Sequence, residues 1–104
     1  MLRMVFFLKG STGKLSYYGT ATALSVARRY LAGASVGDYA LFGGGNTGSD
    51  VVDAYNTSLT RSTPTALSVG RMYLAGASVG DYALFGGGYT GSYTDVVDAY
   101  NTSL

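Results

Sequence analysis

The chain repeats itself, and the repeat restricts its fold more than any other feature. Thr22 to Ser49 recurs as Thr65 to Ser92, 43 residues further on, changed only at Ala27/Gly70, Arg29/Met72 and Asn46/Tyr89. A two-residue insertion, Tyr93-Thr94, then moves the shift to 45, and Asp50 to Leu59 returns letter for letter as Asp95 to Leu104. Near-identity of this degree indicates recent duplication, and the insertion falls where a loop would tolerate it.

A period of 43 to 45 residues without helical patterning matches a four-stranded antiparallel blade of a β-propeller. Tyr30 to Val36, rich in small residues, reads as the first and innermost strand. Gly37-Asp38 supplies a two-residue hairpin turn with glycine in its first central position. Tyr39 to Phe42 is the second strand, ending at Gly43-Gly44-Gly45, and Val51 to Tyr55 is the third. Asn56-Thr57-Ser58 makes the next turn and Leu59 to Ser62 a short outer strand, which Pro64 terminates for want of an N–H. Before the repeat, Leu2 to Leu8 reads as a strand, Gly10 to Gly13 as a turn and Lys14 to Tyr18 as the returning strand, with Leu15 in the place of Leu59. The expectation is an all-β chain of about two blades that leaves a propeller ring incomplete. Residues 1–20 form a partial blade (third and fourth strands), 21–64 a complete blade, and 65–104 a second blade lacking most of its outer strand.

Composition narrows the function. Charged residues make up only 12%, against 16 glycines and 10 tyrosines, the reverse of a disordered chain. A net charge of +1 gives no footprint for nucleic acid or anionic membrane. With no His and no Cys, zinc sites, thiol nucleophiles, His-based triads and disulfides are excluded, and no cofactor or metal is expected. The apolar run Met4 to Leu8 is too short for a signal-peptide core or a bilayer span. An export signal is therefore expected elsewhere, or in a longer product.

Specific residues carry a family resemblance. An Arg precedes the first strand (Arg28, Arg71), the second runs into a double glycine (Gly43-Gly44, Gly86-Gly87), and a Tyr closes the third (Tyr55, Tyr100). Over roughly residues 24 to 104 this resembles the glycine-rich kelch variant of bacterial repeat proteins. The tryptophan that kelch repeats carry about six residues beyond that Tyr is missing, and Arg61 stands near its place. The resemblance implies a kelch-like β-propeller, and a bacterial surface or extracellular setting is favoured over the cytoplasm.

The repeated residues read first as architecture. The triple glycine lacks the helix and the Gly-Lys-Ser/Thr ending of a phosphate loop, so its glycines serve positive φ and close backbone approach. Asp50, Asp53, Asp95 and Asp98 lack the nine-residue period of calcium repeats, and duplication puts them in different blades. Arg28 and Arg71 are expected to bond Asp53 and Asp98, or loop carbonyls. An Arg-lined mouth for anions is the functional alternative. Tyr39, Tyr82, Tyr55 and Tyr100 read as inter-sheet core. Tyr89, Thr90 and Tyr93, with Asn46 and Thr47, sit in the loop that differs between copies, where recognition concentrates, and are the candidate ligand-binding residues. Asn56-Thr57-Ser58 and Asn101-Thr102-Ser103 match the glycosylation triplet, but Asn and Ser are natural turn residues.

Two blades cannot close a ring, so self-association or further blades are expected to cover the outer faces, one chain supplying the strand the next lacks. The expected function is a non-enzymatic module that binds protein or glycan through its loops. A purely structural scaffold repeat is the alternative.

Overall fold

The computed structural model describes residues 15–103. These form two antiparallel sheets, and no helix occurs among the described residues. The first sheet has the order β1 (Ala32–Val36), β2 (Tyr39–Gly43), β3 (Val52–Tyr55) and β4 (Arg61–Ser62). The second repeats it with β5 (Ala75–Val79), β6 (Tyr82–Gly86) and β7 (Val97–Tyr100). Every neighbour is the next strand in sequence, so the connections are short and local. Gly37 and Gly80 take φ of 54° and 52° in the two-residue hairpin turns, a conformation a β-carbon would strain.

Three expected details differ. The first strand begins at Ala32, because Tyr30 and its twin Tyr73 adopt φ of 63° and 61°, outside the extended region. The outer strand is only Arg61–Ser62, because Leu59, at φ 61°, closes a turn in which the Asn56 side chain accepts from the Ser58 and Thr60 amides. Of the expected returning strand Lys14 to Tyr18, Leu15 to Tyr18 carry no strand and are exposed, while Lys14 and the expected strand 2–8 lie outside the described residues.

Strand alternation gives each sheet two faces. Register places Ala40, Phe42, Asp53 and Tyr55 on one, here the Phe face, and Ala34, Val36, Leu41, Gly43, Val52 and Ala54 on the other, the Leu face. The Phe face of the second sheet packs on the Leu face of the first. Phe85 lies over Gly43, where an added β-carbon would meet its ring at 3.0 Å, and Leu74 fills the space over Gly44. Leu41, Val52, Ala54, Leu67, Leu74, Ala83 and Phe85 form the buried core there.

Backbone contact is as close as side-chain packing. A β-carbon on Gly76 would lie 2.0 Å from the Gly33 carbonyl oxygen, and one on Gly70 the same distance from that of Gly48. Hydrogen bonds from Leu67 N to Asp50 O (2.9 Å), Gly45 N to Arg71 O (2.9 Å) and Tyr73 N to Tyr30 O (3.0 Å) tie the two repeats together.

Candidate functional site

Each repeat is stapled internally by one arginine. The segment leading into β1 crosses the Phe face, where Tyr55 donates to Thr22 O at 2.7 Å and Arg61 Nη1 to Ala23 O at 2.7 Å. Arg28 follows, and all five of its N–H groups find acceptors. Nε donates to Gly44 O, Nη1 to Val26 O and Asp53 Oδ2, and Nη2 to Phe42 O and Val51 O, at 2.7 to 3.3 Å. Arg71 repeats the pattern on Gly87 O, Val69 O, Asp98 Oδ2, Phe85 O and Val96 O. The contact with aspartate is through a single oxygen, not a two-pronged fork. Carbonyls take the remaining donors. With no free donor, neither guanidinium offers an anion site.

Burial pushes the Asp53 carboxyl up, but donors from Ser25 and Arg28 outweigh it and hold it below the ordinary carboxylate value. Asp98 is held down in the same way by Arg71 and Ser68. Burial, with the Asp98 charge beside it, pushes the Tyr100 hydroxyl up to about 12. Tyr100 donates to Thr65 O at 2.7 Å, so it is structural, as Tyr55 is. Asp53 Oδ1 is a buried oxygen without a hydrogen-bond partner among the described residues, with Arg61 Nε 4.0 Å away. Arg61 thus caps a carbonyl and faces this carboxylate.

The groove that could take a ligand lies at the β1-entry end of the sheets. Tyr30 and Tyr73 pack across the two repeats as a tilted pair, ring centroids 4.4 Å apart and planes inclined at 46°, and Arg29 lies over Tyr30 at 4.7 Å. Beyond them, Tyr73, Gly88, Tyr89, Tyr93 and Thr94 line an open groove of about 680 Å³. Tyr89 and Tyr93 meet edge to face at 5.9 Å, and Tyr89 is fixed by a reciprocal backbone pair with Met72. Tyr93 is 93% exposed. Among the described residues, no charged side chain lines the groove.

Of the sequence candidates, Tyr89 and Tyr93 therefore share a site. Thr90 lies between them in the chain and donates from N to Ser92 O at 3.0 Å. Asn46 and Thr47 occupy the corresponding loop of the first sheet and do not line the groove. The Asn46 side chain is already used, accepting from Arg29 N at 2.9 Å. Tyr73, which lines the groove, and Tyr30, which packs on it, are not among the sequence candidates; Tyr30 reads there as the start of the inner strand. Their only sequence signal is that a bulky Tyr precedes the small-residue strand in both copies. Among the described residues no cluster of acidic or other ligating side chains could hold a metal ion.

No family model matches this sequence, and no curated protein matches it.

Proposed function

We propose that this chain is a non-enzymatic kelch-like repeat module that binds protein or glycan through its loops, its ring completed by oligomerisation or further blades. The observation that carries the reading is the Tyr73, Tyr89 and Tyr93 groove. It is neutral, open and aromatic, with the Thr94 hydroxyl at its rim. Such chemistry suits a glycan best, because the negative face of a tyrosine ring attracts the polarised C–H face of a sugar. Two of the three rings come from positions where the repeats differ or are extended, so the groove has no equivalent in the first repeat.

A glycan array probed with the whole chain tests this, with Tyr93→Ala and Tyr89→Ala as controls. Binding that disappears in both variants supports the site. Binding that survives them places recognition elsewhere, and an array without hits leaves the protein-ligand form, tested by cross-linking from a photoreactive residue at position 93. The second reading, a scaffold repeat of a bacterial surface protein, is favoured by a different observation: among the described residues, apolar side chains such as Phe42, Val79 and Val97 are exposed on the outer faces of the two sheets.

A further inference from the structure

Identical side chains are buried in one repeat and bare in the other, in a pattern that matches. Phe85 is 0% exposed, while Phe42, its counterpart, is 37% exposed. On the opposite face the order reverses: Val52 is 1% exposed and Val97 59%. Val36 is buried whereas Val79 is exposed, and Leu41 is buried whereas Leu84 is only half-buried. Gly43 and Gly44 are filled by Phe85 and Leu74, but nothing from another sheet approaches Gly86 or Gly87 among the described residues. Among the described residues, the exposed part of the first sheet's Phe face, at Ala40 and Phe42, and the exposed Leu face of the second are thus the two halves of the junction that already exists inside the chain.

We propose that a second copy of this chain docks head to tail, its first-sheet Phe face on the second-sheet Leu face of the first copy. Phe42 of the second copy then lies over Gly86, and its Leu31 over Gly87, as Phe85 and Leu74 lie over Gly43 and Gly44. The differences between repeats fall on opposite sides of one contact. Inside the chain, Gly70 meets the shorter loop at Gly48; between copies, Ala27 meets the loop lengthened by Tyr93-Thr94. The outer edge of β7 borders a cavity of about 410 Å³ lined by Ser68, Asp98, Tyr100 and Asn101, the place that β4 takes in the first sheet. Leu15 to Tyr18 of the docked copy, exposed and leading into the same Thr-Ala-Leu-Ser sequence, are placed to lie there. A net charge of +1 provides little repulsion. Such a contact is heterologous, so it propagates into a ring or a filament.

The inference rests on the proposed function only for the stacking of repeats; Tyr30 of the docked copy would lie against Tyr73 at the edge of the groove, so the test reads association and not ligand binding. Sedimentation velocity of the 104-residue chain across the micromolar range reads the outcome. Phe42→Glu blocks one face and Val97→Lys the other, both at sites outside the internal junction. Gly33→Ala adds a β-carbon that meets nothing closer than 3.8 Å within the chain but lies on the Gly76 carbonyl of the docked copy. Wild-type chains are expected to associate, and each variant to stay folded by circular dichroism and lose association. An equimolar mixture of Phe42→Glu and Val97→Lys should restore association. A monomeric wild-type chain overturns the proposal. Association surviving in either charged variant overturns it too, since like faces would then be meeting. Should a charged variant unfold, Gly33→Ala decides: retained association refutes the docking.

Discussion

Replacing Arg71 by lysine keeps the charge and removes the geometry. The guanidinium is fully buried and directs five N–H groups at five acceptors, four carbonyls and the Asp98 carboxylate, at 2.6 to 3.3 Å. An ammonium has three donors at one point, so at least two of those acceptors lose the arginine, although Val96 O keeps the Gly87 amide and Asp98 Oδ2 the Ser68 amide. A buried acceptor left without a donor costs about 1–3 kcal/mol, so stranding one carbonyl makes Arg71→Lys cost ~1–3 kcal/mol. Total stability for a chain of this size is about 5–15 kcal/mol, so that loss is a sizeable share of it. Urea denaturation followed by far-ultraviolet circular dichroism measures the loss. Protein concentration must be held fixed, because association would add its own stability. A loss below about 1 kcal/mol would refute the reasoning, since it would mean that water reaches the carbonyls as readily as the arginine does.

Phe85→Ala should cost about 3–5 kcal/mol in the same assay, and Phe42→Ala under about half of that, because the same residue is enclosed in one repeat and open in the other. Gly76→Ala should destabilise the junction strongly, since its β-carbon cannot coexist with the Gly33 carbonyl 2.0 Å away, whereas Gly33→Ala should leave the thermal midpoint of the monomer nearly unchanged. The Asp53 and Asp98 carboxyls have folded-state pKa values lowered by their arginine and serine donors. Their contribution to stability is therefore present above the unfolded carboxylate value of about 3.9 and is lost as pH falls through the lower folded values. Urea midpoints measured from neutral pH downward should stay level and then drop in acid, with a shallower drop in Asp98→Asn; an unchanged slope would contradict the assignment.

Much of the two sheets was legible in the chain. Glycine-aspartate turns between alternating runs fix the hairpins, and duplication allows each strand to be read twice. Arg28 and Asp53 repeat together as Arg71 and Asp98, so their pairing could be expected from charge alone, though not the share taken by carbonyls. The tyrosine insertion marked Tyr93 as a loop residue. Other features had no sequence signal. Tyrosine is a poor residue for positive φ, so nothing foretold that Tyr30 and Tyr73 leave the strand and pack on each other. Identical letters also cannot say which copy is covered. The fate of Phe42 and Phe85 depends on position in the stack, which is tertiary information. Leu15 to Tyr18 resemble an outer strand in composition, but a strand forms only where an edge is offered to it.

The two-residue turns have a consequence for how the chain finds its fold. From Tyr30 to Gly45 and from Tyr73 to Gly88 the letters are the same, so β1 could pair with β6 through the same hydrogen bonds and side-chain contacts as with β2. Contact energy does not separate the right partner from the wrong one. Loop closure does: Gly37-Asp38 closes the native hairpin, whereas the mispaired one must close residues 37–81. At (3/2)RT ln n that difference is worth about 3 kcal/mol, or roughly a hundredfold in favour of the neighbour. Fidelity of folding in this chain therefore rests on the shortness of its turns, and lengthening Gly37-Asp38 by several flexible residues would open the way to exchanged strands.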